Sequence, residues 1–207
     1  MATVPAATPQ KALLRYDNGA VFLHWLTVAL LVTQVYIGFT FAEMERGPAR
    51  GEWFTWHKTI GATILLLAFV RLAWRLTHKP PPFPEDLPRW ERLAAVWNHR
   101  AFYFLLIALP LTGLTAISGG ADSPTTQLAG GLPLPLIPGV SEAAGDAMGD
   151  THELLVTLTL ALIALHAGAA LKHQFVDRTR SAGRMPPFQA PPNDQGAADD
   201  QSHSSNY

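Results

Sequence analysis

Four long apolar stretches run along the chain, and polar segments separate them. The stretches cover residues 20–42, 53–74, 101–118 and 151–171, and the first contains no Asp, Glu, Lys or Arg. They are apolar on all sides, whereas the helices of a soluble bundle keep one polar face. They are also too long and too rich in Leu and Ala for β-strands. Because about 20 apolar residues cross the hydrocarbon core of a bilayer, the pattern predicts four transmembrane helices.

The polar segments indicate the domain organisation. Residues 1–12 are rich in Ala, Pro and Thr, and residues 181–207 form a polar, Pro-rich segment. Neither has the composition to bury a core, so both are predicted to be disordered. Residues 13–180 are predicted to form one all-α domain, an integral membrane four-helix bundle. Its longest connection, residues 119–149, is expected to be an extramembrane loop.

Basic residues indicate the orientation of the bundle. Twelve Lys and Arg residues flank one side of the predicted helices, two flank the other side, and Lys58 lies within a helix. Since basic residues accumulate on the cytoplasmic side of a membrane, both termini are predicted to be cytoplasmic. The connection 119–149 contains no Lys or Arg and is expected on the outer side.

Composition narrows the chemistry that the chain can support. Charged residues make up 15% of the chain, against about 25% in typical soluble proteins, and the formal net charge is −1. This balance argues against a nucleic-acid partner. The chain has no cysteine, which excludes disulfides, cysteine-bound zinc, iron–sulfur clusters and haem attachment through cysteine.

Four of the eight histidines lie within the predicted membrane helices. His24 and His166 fall at similar depths on the predicted cytoplasmic side, and His57 and His152 lie near the outer boundary. An ionisable side chain in a membrane helix is costly and therefore indicates function. His152 and His166 are 14 residues apart on the fourth helix and project from nearly the same face. The pattern predicts the pairs His24/His166 and His57/His152, one in each leaflet.

Each predicted pair could clamp one iron atom from both sides. Neutral imidazole is the commonest biological metal ligand, and the cores of helix bundles hold such cofactors. The pattern of four histidines therefore favours two non-covalent haems. A zinc or copper site is a weaker alternative, because it would draw its ligands into one cluster. Taken singly, His24 could be an interhelical hydrogen-bond partner, and His57 or His152 could be an interfacial residue.

Several neighbouring residues have two interpretations each. Arg71 and Arg75 could pair with haem propionates, or they could anchor the cytoplasmic end of the second helix. His173 could border a quinone site or be an ordinary interfacial histidine. Gly38 and Gly113 could make room for a haem, or they could serve helix packing.

The residues around these histidines resemble a known family. The ordered set of motifs HW, WHK, ALPLTGL, THE and ALHAGAALKH is specific when it is taken together. Over residues 13–176, apart from the 119–149 connection, the chain resembles the bacterial cytochrome b561 family. The segments that carry the resemblance are RYDNGAVFLHWL, WHKTIGATILLLAFVRLAWRL, NHRAFYFLLIALPLTGL and THELLVTLTLALIALHAGAALKH.

The resemblance implies a location, cofactors and an activity. Members are four-helix proteins of the bacterial inner membrane with two b-type haems, and their ligands match His24, His57, His152 and His166. They exchange electrons with ubiquinone, and His173 matches a position near the inner haem. One activity described for the family is superoxide oxidation at the periplasmic face. The chain is therefore expected to carry electrons across the lipid bilayer, between a periplasmic donor and the quinone pool.

Other functions stay open from the sequence. The chain could be the cytochrome b subunit that anchors a separate dehydrogenase or hydrogenase, or a transporter with histidine proton relays. The acidic connection 119–149 would not steer superoxide towards the protein, because both are negative. The oligomeric state is also open, and a homodimer is one option.

Overall fold

The structure, a computed structural model, describes residues 15–83, 87–177 and 184–187. Four α-helices dominate it, and this confirms the predicted all-α membrane fold. A π-helical turn, Lys172–Val176, continues the last helix. The helices are α1 (Asn18–Ala42), α2 (Pro48–Thr77), α3 (Arg89–Ser118) and α4 (Glu142–Leu171).

All four helices are long and apolar enough to cross a membrane. Large apolar side chains point away from the bundle on every helix. Phe22, Leu66, Phe104 and Leu165, one from each helix, are 65–66% exposed. A surface of this kind is unfavourable in water but suits a lipid environment, because lipid tails are as apolar as these side chains.

The helices pack mainly in two pairs, α1 with α2 and α3 with α4, and α2 joins the pairs through α3. Ile64, Ala68 and Leu106 form the buried core between them. Gly119 and Gly145 let α3 and α4 approach closely, because a Cβ at either glycine would overlap the other glycine's Cα. We call the end of the bundle where α1 and α3 begin the terminal end, and the opposite end the loop end.

Local signals fix where the helices begin. The Asp17 side chain accepts a hydrogen bond from the Ala20 N–H at 2.9 Å and so caps α1. Ser141 caps α4 in the same way, with Ala144 as the donor. Pro48 occupies the first turn of α2, where its missing N–H is not needed.

Three helices begin earlier than the apolar pattern predicts. The structure starts α2 at Pro48, α3 at Arg89 and α4 at Glu142, whereas the predicted stretches began at 53, 101 and 151. The pattern marks where apolar residues begin, but the backbone hydrogen bonds of a helix continue into polar flanks. The predicted loop 119–149 is therefore too long at its carboxyl end.

The rest of this connection folds into a hairpin and is not an open loop. Two short strands, β1 (Thr125–Gln127) and β2 (Pro133–Pro135), pair antiparallel across a 3₁₀ turn. Lys58 Nζ donates to Thr126 Oγ1 at 2.6 Å, which ties β1 to the loop end of α2. The Ala129 N–H donates to Thr59 Oγ1 at 2.8 Å. These contacts hold the hairpin over the loop end of the bundle.

Residues 184–187 fold back onto the terminal end, so the prediction of disorder from residue 181 is wrong for these four residues. The Tyr16 N–H donates to the Arg184 carbonyl at 3.1 Å, and Trp25 Nε1 donates to the Pro186 carbonyl at 2.7 Å. The composition of the segment gave no sign of this, because its order comes from contacts with distant residues. The predicted disorder of 1–12 and of the rest of 181–207 lies outside the described residues.

Candidate functional site

The first candidate site is a histidine pair near the loop end. His57, in the third turn of α2, faces His152, in the third turn of α4. Their ring centroids lie 6.2 Å apart, and the ring planes are tilted by 75°. The structure thus brings together the two histidines that the sequence paired in the outer leaflet.

The backbone of α3 orients His152. The ring Nδ1 lies 2.9 Å from the Leu109 carbonyl oxygen, so Nδ1 carries the proton and donates it. The carbonyl therefore leaves Nε2 as the nitrogen with a free lone pair. A histidine that ligates a metal is commonly held in this way, through its second nitrogen.

His57 has a different environment, which Gln34 of α1 dominates. The Gln34 amide nitrogen donates to the His57 carbonyl at 3.1 Å and lies 3.2 Å from His57 Nε2. His57 Nδ1 and Gln34 Oε1 are buried and have no hydrogen-bond partner among the described residues. An unpaired buried polar atom is costly. Unpaired polar atoms around the His57 ring fit a site that a bound group completes better than a packing position.

Glycines flank both rings of this pair. A Cβ at Gly38 would lie 3.2 Å from His57 Cε1, and a Cβ at Gly113 would lie 3.3 Å from His152 Cε1. Each imidazole therefore rests against bare backbone on one side. The two rings also border an apolar cavity between the four helices, which Gly61 and Val156 line. This combination of bare backbone and apolar lining fits a flat, apolar group.

The second candidate site is a histidine pair near the terminal end. His24 of α1 and His166 of α4 have ring centroids 6.3 Å apart, tilted by 56°. Trp25 packs edge-on against His24, with centroids 5.3 Å apart. His166 also contacts His99 and Phe102 of α3, at centroid distances of 5.5 and 5.4 Å. This site therefore has a third imidazole close by.

The spacing of both pairs matches one metal ion shared by two imidazoles. A metal–nitrogen distance of about 2 Å, added to about 1.2 Å from nitrogen to ring centroid, places two opposed centroids about 6.4 Å apart. The observed separations are 6.2 and 6.3 Å. Within the described part of the chain, no cluster of three or more His, Cys, Asp or Glu could hold a metal ion. Two-ligand coordination of haem iron therefore fits better than the zinc or copper alternative.

Arg71 and Arg75 lie at the terminal end, as expected from the sequence. The Arg71 guanidinium lies within electrostatic range of Tyr103 and of three histidines, His24, His99 and His166. Arg75, one turn later, lies within range of His99. Arg71 thus lies close to the second pair, and Arg75 lies close to the neighbouring His99.

The structure places His173, partly buried, beside two carboxylates. Its Nδ1 lies 3.2 Å from a carboxylate oxygen of Asp177, and its Nε2 lies 3.8 Å from Glu91. Lys172 pairs with the same two carboxylates. No contact between His173 and the His24/His166 pair occurs in the described part of the chain.

Two residues that contact or neighbour the sites were not singled out from the sequence. Gln34 is the polar amide inside the stretch that has no charges, and a buried amide in a membrane helix is a signal for a polar contact. Arg184 lies in a segment whose composition predicts disorder, so no local signal marked it.

Comparisons with known proteins place the chain among membrane cytochromes. The family model described as prokaryotic cytochrome b561 matches residues 15–187. The chain is 28% identical over 176 residues to cytochrome b561 homolog 2 of Escherichia coli (strain K12), which covers 83% of this chain and 90% of that protein. It is 28% identical over 184 residues to cytochrome b561 homolog 1 of the same organism, with 84% and 97% covered. It is 31% identical over 178 residues to the probable superoxide oxidase CybB of Yersinia pestis, with 84% and 96% covered.

Proposed function

Because the chain belongs to the prokaryotic cytochrome b561 family, we propose that it carries electrons across a bacterial inner membrane through two b-type haems. His57 and His152 would hold one haem, and His24 and His166 would hold the other. The observation that carries this proposal is the spacing of the two pairs, 6.2 and 6.3 Å between ring centroids.

The protein supplies ligands, orientation and a medium of low dielectric. Haem, when bound, supplies a reversible one-electron couple at its iron. The Leu109 carbonyl fixes the ring of His152, so that its Nε2 keeps one direction. The ligand positions on α4 are 14 residues apart, which places them about 21 Å apart along the helix axis. That separation spans most of a hydrocarbon core of about 30 Å, so the two sites lie in opposite leaflets.

The loop end is where we place the electron donor. Arg46 and Arg50 line a surface cleft beside Phe41, and the Arg50 Nε donates to the Phe41 carbonyl at 3.0 Å. The Phe41 ring lies 5.1 Å from the His57 ring. A small anionic one-electron donor would meet these two arginines in the cleft, although three acids, Glu43, Glu45 and Glu52, flank them and the 119–149 connection is acidic. The name of the Yersinia pestis relative supports superoxide as such a donor.

The terminal end is where we place ubiquinone, in the cytoplasmic half of the bilayer. In the sequence, twelve of the fifteen basic residues flank the helix ends on this side, which supports cytoplasmic termini. The Lys172–Val176 turn places His173 beside carboxylates there, and a histidine with carboxylate partners is able to move a proton. Reduction of a quinone to a quinol consumes protons, which such a group could deliver.

Electron transfer across liposomes tests this proposal. Purified protein is reconstituted with ferricyanide inside and a membrane-impermeant reductant outside. We expect the internal ferricyanide to be reduced, and the rate to fall to that of empty liposomes in His57→Ala. Gly168→Ala serves as a matched control, because a Cβ there meets open space. A wild-type protein that binds two haems but transfers no electrons would contradict the proposal. Co-purification of a second polypeptide that is needed for turnover would favour the anchor-subunit alternative.

A further inference from the structure

Positive charges converge at the terminal end, around the His24/His166 pair. Arg71 lies within electrostatic range of His99, and so does Arg75. Arg184, from the returning C-terminal segment, lies within range of both His99 and Arg75. Three guanidinium groups, two from α2 and one from the returning segment, thus lie within electrostatic range of His99, which contacts His166.

Arg184 is buried, which is rare for an arginine. It is 8% exposed. One nitrogen, Nη2, donates to the Pro81 carbonyl at 2.6 Å. The guanidinium lies over the rings of Phe83 and Tyr16, with its carbon 4.6 and 5.4 Å from their centroids. The other terminal nitrogen, Nη1, is buried and has no hydrogen-bond partner among the described residues.

The nearby carboxylates of the described residues bind other groups. Asp17 accepts from the Ala20 N–H and from the Trp74 indole. Glu91 and Asp177 pair with Lys172. A buried guanidinium without a counter-charge is strongly unfavourable, and converging like charges add to that cost. We therefore expect an anion other than these carboxylates to bind the three arginines.

The position of the segment indicates which anion this is. Trp25 donates to the Pro186 carbonyl at 2.7 Å, and the Trp25 ring packs against the His24 ring. The segment 184–187 is thus attached to the residue next to a proposed haem ligand. A b-type haem carries two propionate carboxylates on one edge, and arginine binds carboxylates through paired N–H groups.

We propose that Arg184 completes, with Arg71 and Arg75, a binding site for the propionate carboxylates of the haem held by His24 and His166. The proposal rests on the proposed function, because it needs a haem at that pair. The C-terminal segment then serves as a clamp on the cofactor of the terminal end. A lipid phosphate or free phosphate would offer similar chemistry, and the experiment below separates these sources.

The test is a redox titration of both haems in the full-length protein, with wild type compared to Arg184→Gln. A positive charge near a haem favours the reduced form, which carries one more electron. We expect Arg184→Gln to lower the midpoint potential of the terminal-end haem only. The shift should change its ratio of reduced to oxidised form by about tenfold, equal to about 59 mV for one electron. Arg184→Lys keeps the charge and should shift this potential less. Lys79→Gln, an exposed charge at the same end, should leave it unchanged.

A haem with esterified propionates shows whether the propionates are the anion that the arginines bind. Apo-protein is loaded with haem dimethyl ester, and wild type and Arg184→Gln are titrated again. We expect the difference between them to become clearly smaller, because the ester has no carboxylates for Arg184 to pair with and only the direct effect of its charge on the iron remains. A difference of unchanged size would overturn the proposal and point to a lipid or free phosphate. Equal shifts in both haems, an unchanged potential, or loss of the haem that Arg184→Lys does not rescue would overturn it too. Wild-type protein without haem would instead refute the proposed function.

Discussion

His152 and His166 lie on one face of α4, and each faces a histidine of a different helix across the bundle. Their spacing of 14 residues is close to four helical turns. One rigid helix therefore fixes the distance between the two candidate sites and their relative direction. A change in the register of α4 would disturb both sites at once.

Substitutions within one histidine pair should remove the same haem. His24→Ala and His166→Ala should each remove the same haem, because each leaves a metal with one of its two protein ligands. His57→Ala and His152→Ala should remove the other haem. Low-temperature difference spectra, which resolve the two b-type components, provide the measurement. The pairing would be wrong if His24→Ala and His57→Ala removed the same component.

Added bulk at Gly113 should affect one site alone. A valine there would press on the His152 ring, since even a Cβ would lie 3.3 Å from it. We expect Gly113→Val to lower the occupancy of the loop-end haem several-fold and to leave the terminal-end haem in place. Haem per chain and the difference spectrum measure this. Gly168→Val, where a Cβ meets open space, is the matched control. An unchanged spectrum in Gly113→Val would show that His152 does not need this close contact.

The Lys58–Thr126 hydrogen bond should hold the hairpin on the bundle. A hydrogen bond to a charged group contributes about 1.5–3 kcal/mol, so Lys58→Met should loosen residues 125–135 by roughly tenfold or more. Amide hydrogen exchange measured by mass spectrometry reports this opening directly. Thr125→Ala, on the neighbouring residue of the same strand, is the control. Equal protection in Lys58→Met and wild type would mean that other contacts hold the hairpin.

The Asp17 cap should make stability depend on pH. The Ala20 N–H bond, together with the Trp74 indole N–H, lowers the pKa of the Asp17 carboxyl below its usual 3.8. The carboxylate therefore stabilises the fold above pH 3.8, and this contribution is lost as the pH falls through the lowered folded-state value. Asp17→Ala should reduce stability by about 1 kcal/mol at pH 7.

Thermal unfolding in detergent, followed by circular dichroism at pH 7 and at pH 3, measures this effect. The difference between wild type and Asp17→Ala should shrink at the lower pH. Asp17→Asn is the matched variant, because an amide oxygen still caps the helix without a charge. A difference that grew on acidification would contradict this account.

The sequence predicts the helices and the histidine juxtapositions because both depend on local and periodic features. The apolar composition of a stretch such as 20–42 is enough to predict a membrane helix. The depths of His24 and His166 follow from their distances to the nearest basic residues. Neither inference needs a contact between distant residues to be known in advance.

The remaining features depend on tertiary contacts, so the sequence could not reveal them. The three-residue strand Pro133–Pro135 is too short for a periodic signal, and its Pro residues argue against a strand. Arg184 is held by contacts with Pro81, Phe83 and Tyr16, which are distant in the sequence. Gln34 becomes notable only once its amide is seen to contact His57.

The haem content of the purified full-length chain tests the central claim most directly. A pyridine haemochrome assay, combined with a reduced-minus-oxidised spectrum and a protein determination, gives the type and number of haems per chain. We predict two b-type haems, one for each histidine pair. One haem per chain would show that one of the pairs is not a ligand pair. A protein without haem would contradict the account as a whole.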